Sequence, residues 1–178
     1  FFHPLADREA SLGEIGEIRG GTCYNKRTGK RIQALVVVHM LGHPCRIDAL
    51  AEVASRYHLT LVEDAAEALG STYRGRHAGQ WGCLAALSFN GNKTITTGGG
   101  GAVLTDDDEL ASVAKHLTTT AKVPHQWEAR HDRVGYNYRL PNLNAALGCA
   151  QLEQLPAFIE SKRELARRYA EAFEGLDG

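Results

Sequence analysis

The run Ala34-Leu35-Val36-Val37-Val38 constrains this chain more than any other stretch. A continuous apolar run of that length, ending in three β-branched valines, suits a strand buried on both faces, the habit of parallel sheets in α/β proteins. Gly42-His43-Pro44 breaks it. Ile47, Leu50, Ala51, Ala54 and Tyr57 then recur at helical spacing, an amphipathic helix of about three turns. Leu59-Thr60-Leu61-Val62 follows as a second short apolar strand. A strand, a helix and a strand in so few residues form a βαβ unit, so the two strands run parallel.

The same reading extends along the chain. Leu84–Phe89 is predicted as a third strand and Gly101–Leu104 as a fourth. The polar connection between them is too short for a crossover helix, which makes that pair antiparallel and the sheet mixed. Asp106–Asp108 can cap a helix with Leu110, Val113, Ala114 and Leu117 on one face. Pro141 opens a further helix with Leu143, Ala146, Leu147 and Ala150 turned inward. Pro156 opens the last and longest, with Leu165, Tyr169, Phe173 and Leu176 as its stripe. The expected class is α/β, three layers α/β/α around a mixed, mostly parallel sheet. Residues 1–32, polar and glycine-rich, read as irregular, 33–155 as a core without internal boundary, and 156–178 as the long helix.

Composition narrows the function classes. With 178 residues the chain can bury a real core. Its 20 basic and 21 acidic residues give no basic surface for nucleic acid. No apolar run approaches the roughly 20 residues that span a bilayer, and the start FFHPLADREA does not read as a signal peptide. Cys23, Cys45, Cys83 and Cys149 form no CxxC motif and read as separate reduced thiols of a cytoplasmic protein, Cys149 in the core. The absence of an initiator Met and the stop at Gly178 after a helical pattern suggest a piece of a longer polypeptide.

Ligands of open α/β sheets bind at the carboxyl ends of the strands. Two residues stand out there: Asp64 directly after the Leu59–Val62 strand, and Lys93 four residues after the Leu84–Phe89 strand. By themselves they are compatible with a plain ion pair. Gly98–Gly101 change the odds, because four glycines in a row serve a backbone that bends sharply or approaches a ligand closely. Ser88, Asn90, Asn92, Thr94, Thr96 and Thr97 add hydroxyls and amides suited to an anion. A P-loop fails, since Asn92 and Leu87 stand where GxxxxGK[ST] needs glycine. His39 and His43 are spaced i, i+4, but Gly42 and Pro44 preclude a continuous helix for a zinc site. His39 reads as lining the cleft and His43 as structural, with no metal expected.

Glu-Asp-Ala-Ala-Glu-Ala-Leu-Gly-Ser (63–71), Ser-Phe-Asn-Gly-Asn-Lys (88–93), Thr-Thr-Gly-Gly-Gly-Gly (96–101) and Gly-Tyr-Asn-Tyr-Arg-Leu (135–140) together resemble the signature segments of the DegT/DnrJ/EryC1/StrS aminotransferases. These are fold-type-I pyridoxal-phosphate enzymes acting on nucleotide-linked keto sugars. Residues 23–32, 38–44 and 117–122 are similar to the LegC-like branch, which aminates C4 of UDP-linked 4-keto-6-deoxy-N-acetylhexosamines for bacterial surface sugars. The resemblance implies pyridoxal 5'-phosphate as cofactor, joined covalently by Lys93, with Asp64 facing its pyridine nitrogen. It places Glu67 near the ring and Ser88 at the phosphate. It implies that Asn137 and Arg139 reach the phosphate of a partner's cofactor, hence a homodimer with shared sites. Substrates would be a nucleotide sugar and an amino donor, usually glutamate. A non-catalytic sugar-binding or regulatory member of the same fold is the alternative, and the retained Lys93 speaks against it. Trp127-Glu128-Ala129-Arg130 would pack over the site or the interface; His116, His125 and His131 carry no assigned role.

Overall fold

A computed structural model describes residues 12–175. Its main sheet has four strands in the order β3-β4-β7-β8: β3 Ala34–Val38, β4 Thr60–Asp64, β7 Leu84–Ser88 and β8 Gly101–Leu104. β3 and β4 run parallel in register from Ala34↔Thr60 to Val38↔Asp64, and β4 and β7 run parallel from Val62↔Leu84 to Asp64↔Ala86. Phe89 N–H donates to Gly100 O (2.9 Å), and Thr105 Oγ1 donates to Cys83 O (2.7 Å). Residue numbers that rise on one strand as they fall on the other mark β7 and β8 as antiparallel. The sheet is mixed, as the short 89–100 connection predicts.

Helix α1, Ile47–Arg56, crosses between β3 and β4 and buries Ile47, Leu50, Val53 and Ala54. Ile47, Leu50 and Ala54 pack with Val37, Leu59, Leu61 and Cys23. Burying five or so such side chains contributes roughly 1.5–3 kcal/mol each toward the core. The expectation that Ala34–Val38 is buried on both faces is corrected: Val36 is 61% and Val38 50% exposed. Alternation sends Leu35 and Val37 toward α1 and Val36 and Val38 to the other face, which the described residues leave open.

Other elements depart from the sequence reading. Within 1–32, β1 Gly16–Arg19 and β2 Thr22–Asn25 form an antiparallel hairpin. Its two-residue turn is Gly20-Gly21, both at positive φ (55° and 76°), the conformation a tight hairpin demands. Residues 1–11 of that segment lie outside the described residues. Two further small hairpins were not expected, β5 Thr72–Tyr73 with β6 Arg76–His77 and β9 Lys122–Val123 with β10 Arg130–His131. Two-residue strands carry too little periodicity to read from sequence.

Helix α2, Asp108–Thr118, begins as expected: Asp107 caps it, its Oδ1 accepting from the N–H groups of Glu109 and Leu110. Helix α3 is one element, Asn142–Ala172, with Pro156 inside it rather than opening a new helix. The face expected inward is also wrong. Leu143 is 87% exposed and Leu147, Ala146, Cys149 and Ala150 are exposed, while over the same turns Gly148 is buried and Asn144, Ala145 and Gln151 are half-buried. Leu165, Tyr169 and Phe173 are exposed as well, the two rings stacked 6.0 Å apart, and Leu176 lies outside the described residues. An apolar stripe states what a helix can bury; the loop that covers α3 approaches from a different side.

Two compact units can be described separately among residues 12–175, one running to Leu87 and including Ala102–Arg139, the other Ser88–Gly101 with the chain from Leu140. No helix among the described residues is long and apolar enough to cross a membrane.

Candidate active site

In the first unit, Asp64 is the last residue of β4, and its half-buried carboxylate accepts the Ala66 N–H through Oδ1 (3.1 Å). Ala65 N–H donates to Ala86 O (3.0 Å), so the chain after β4 stays tied to β7 as it leaves the sheet. Glu67 Oε2 accepts the Leu41 N–H at 2.8 Å. Leu41 sits at φ 54°, a left-handed conformation costly for a branched side chain. That bond fixes the Met40–Gly42 turn just beyond β3, a duty for Glu67 that its sequence position does not show. Asn137 and Arg139 lie on an exposed segment aligned beside 117–120 by Tyr136 N–H to Leu117 O (2.7 Å) and Tyr138 N–H to Thr118 O (2.9 Å). Arg139 Nε donates to Asn137 Oδ1 (3.4 Å). Gly135 is required there, since a Cβ would lie 2.4 Å from the Thr120 carbonyl carbon.

In the second unit, Ser88 Oγ accepts the Asn90 N–H (3.3 Å), which leaves its hydroxyl proton to donate. Lys93 is half-buried in the following loop, with its N–H on Asn90 O (3.1 Å). The loop closes where Thr97 N–H meets Phe89 O (3.0 Å) and is seated by Ile95 and Thr97, both buried. Gly98 and Gly100 take φ of 80° and 111°, and a Cβ on Gly100 would sit 2.6 Å from Leu140 Cδ1. The glycine run is thus explained in part by backbone shape.

Sequence reading missed the residue directly behind Asp64. Glu63 is fully buried and its carboxylate takes four bonds: His39 Nε2 (2.9 Å), Gly79 N–H (2.8 Å), Trp81 N–H (2.6 Å) and Gly82 N–H (2.6 Å). His39, expected to line the cleft, is instead 1% exposed and locked in this pair. Its Nδ1 accepts the Cys45 N–H (3.3 Å) and lies 3.6 Å from Cys45 Sγ, and its main-chain N–H donates to Asp64 O (3.0 Å). Strand alternation was the available signal, because it sends Glu63 to the face opposite Asp64.

Burial pushes the His39 imidazole down, but the side chains of Cys45 and Glu63 bonded to it outweigh that and raise the group to about 9. Burial likewise pushes Glu63 up, and the His39 bond with the three N–H groups brings it below the ordinary carboxyl value. The raised imidazole stabilises the fold fully below its ordinary 6.5, a contribution lost as pH climbs through about 9. The depressed carboxyl stabilises above its ordinary 4.5, a contribution lost as pH falls through its lower folded value. Both contributions are complete between these ordinary values. The urea midpoint is therefore expected to peak in that window and fall toward pH 9, and His39→Gln should flatten the alkaline side. A His39→Gln profile with the wild-type slope there would refute the assignment.

Taken separately, the second unit offers a half-buried lysine and a serine hydroxyl able to donate, groups suited to an aldehyde and a phosphate, and the first offers a strand-end carboxylate suited to a pyridine nitrogen and exposed amide and guanidinium donors suited to a phosphate. The mixed sheet has the fold of the pyridoxal-phosphate-dependent transferases of fold type I. The model of the DegT/DnrJ/EryC1/StrS aminotransferase family matches residues 24–178, and this chain belongs to that family.

GDP-perosamine synthase of Escherichia coli O157:H7 is 43% identical over 146 residues, covering 82% of this chain and 40% of that protein. The UDP-4-amino-4,6-dideoxy-N-acetyl-beta-L-altrosamine transaminase of Campylobacter jejuni is 37% identical over 144 residues, 80% of this chain and 38% of its own. Helicobacter pylori PseC, an aminotransferase involved in the biosynthesis of pseudoaminic acid, superposes with a TM-score of 0.80 at 28% identity, over 94% of this chain and 42% of its own. The chain thus spans about 40% of the length of the curated relatives it matches.

Proposed function

We propose that this chain is part of an aminotransferase that converts a nucleotide-linked 4-keto-6-deoxy sugar to its 4-amino sugar, with glutamate as donor. The reading favours a UDP-N-acetylhexosamine, a cytoplasmic homodimer and a role in bacterial surface-glycan sugar synthesis. One observation carries it: Lys93 stands in a closed, glycine-bounded loop after β7, in a chain that belongs to a sugar aminotransferase family. The Campylobacter relative supports a UDP-linked substrate; the 43% identity to a GDP-perosamine synthase supports a GDP-linked one as the second reading.

Bound pyridoxal phosphate supplies an electron sink for the pair released at the substrate carbon. Lys93 would join the cofactor through its amine, give way to the donor, and carry the proton to and from the reacting carbon; a lysine amine on a flexible stem suits both tasks. Asp64 would keep a proton on the pyridine nitrogen, and Glu67 would stand near the ring while it holds the Leu41 turn. Ser88 would donate to the phosphate. Asn137 and Arg139, exposed and paired, would donate to the phosphate held by a second copy.

An absorbance scan of the purified protein with pyridoxal phosphate tests this. A visible band that shifts on adding glutamate, with UDP-linked keto sugar restoring it faster than GDP-linked, is the expected result. A folded dimer with no band would overturn the enzyme reading in favour of a non-catalytic one, and preference for the GDP sugar would move the substrate to the second reading.

A further inference from the structure

Three residues of α3 at spacings i, i+4 and i+7 point one way and meet the loop that carries Lys93. Asn144 Nδ2 donates to Thr97 O (2.5 Å), and Gln151 Oε1 accepts the Thr96 N–H (3.0 Å). Between them stands Gly148, buried, where a Cβ would lie 3.0 Å from Thr97 Cγ2. Helical geometry puts such positions on one face. Gly148 lets the loop approach the helix closely, and the two amides grip its main chain on either side of that approach. The gripped residues are the loop's own closure: Thr97 N–H and Thr96 Oγ1 both donate to Phe89 O (3.0 and 3.3 Å), while Phe89 N–H donates to Gly100 O. Lys93 sits between these ends, three residues before Thr96.

We infer that Asn144 and Gln151 are positioning residues for Lys93: they clamp the main chain at 96–97 onto α3 and so fix the closed form of the 89–97 loop. Neither side chain is assigned a place in the chemistry. The amides suit this task because one offers a donor to a carbonyl and the other an acceptor to an N–H, a choice of polarity that an apolar helix face cannot make. Losing Gln151 leaves the Thr96 N–H without its acceptor and lets the loop open more often.

The functional side of this inference rests on the reading that Lys93 joins the cofactor, so the experiment has two arms. In cofactor-free protein, hydrogen exchange at Thr96 is followed in wild type, Gln151→Met, which keeps volume without the acceptor, and Gln151→Glu, which keeps the acceptor. In the second arm the same proteins are titrated with pyridoxal phosphate and the visible band gives the affinity. Thr96 exchange about tenfold faster in Gln151→Met, with affinity lowered about tenfold, and both near wild type in Gln151→Glu, is the expected pattern. A role in filling space alone predicts the reverse order of Met and Glu and would overturn the clamp. So would Gln151→Met exchange faster with unchanged affinity. A wild type that shows no band sinks the enzyme reading, and the exchange arm then decides the clamp alone. If Gln151→Met fails to fold by circular dichroism, Asn144→Ala takes its place under the same readouts.

Discussion

Lys93→Ala is expected to abolish the visible band with pyridoxal phosphate and to lower the rate of amino transfer by about 10⁴-fold or more, since one group both joins the cofactor and moves the proton. The informative companion is Lys93→Arg. It keeps a cation of similar reach in the same loop, so a lysine whose task is an ion pair should be largely replaced by it. A guanidinium cannot give up its proton in a protein and cannot act as the amine nucleophile. The assignment therefore expects Lys93→Arg to be as inactive as Lys93→Ala while folding at least as well. Substantial activity in Lys93→Arg would return Lys93 to the bland electrostatic role that composition alone favours.

The second large effect is on stability. Glu63→Ala should lower stability by about 3–5 kcal/mol, because it leaves the buried His39 imidazole and three N–H groups without their common acceptor. For a chain of this size that is a fall of roughly 10 °C in the thermal midpoint. Glu63→Gln keeps an acceptor but turns an amide N–H toward donors, and belongs between the two. A midpoint within about 2 °C of wild type in Glu63→Ala would show that the four bonds are worth little net.

Much of the fold was legible because its information is local. β3, α1 and β4 each write their own period in adjacent residues, and the short 89–100 connection leaves only an antiparallel return. The hairpin at Gly20-Gly21 was present in the letters but hidden in a segment without an apolar period. What sequence could not give is which surface covers which. Leu143 and Leu147 form the better apolar stripe on α3, yet Asn144, Gly148 and Gln151 meet the loop, since a peptide backbone asks for amides and room instead of aliphatic area. Glu63 and Asp64 are neighbours of the same chemistry, and only the pleat separates a buried structural acid from one at a strand end. The positions of Lys93, Asp64 and Ser88 on the chain were readable; their roles, with those of Glu67, Asn137 and Arg139, remain the proposal that the experiments above address.

Pro156 gives α3 a mechanical character. A continuous helix of 31 residues is a rod of about 46 Å. Proline at its middle brings no N–H to the carbonyl four residues earlier and crowds it with a ring, so the ladder skips one rung there. The half from Asn142 to Leu155 is braced by the loop at Asn144, Gly148 and Gln151, while the half beyond Pro156 has no such brace among the described residues. Any bending of the rod is therefore expected to concentrate at that one joint, with the gripped half keeping its shape.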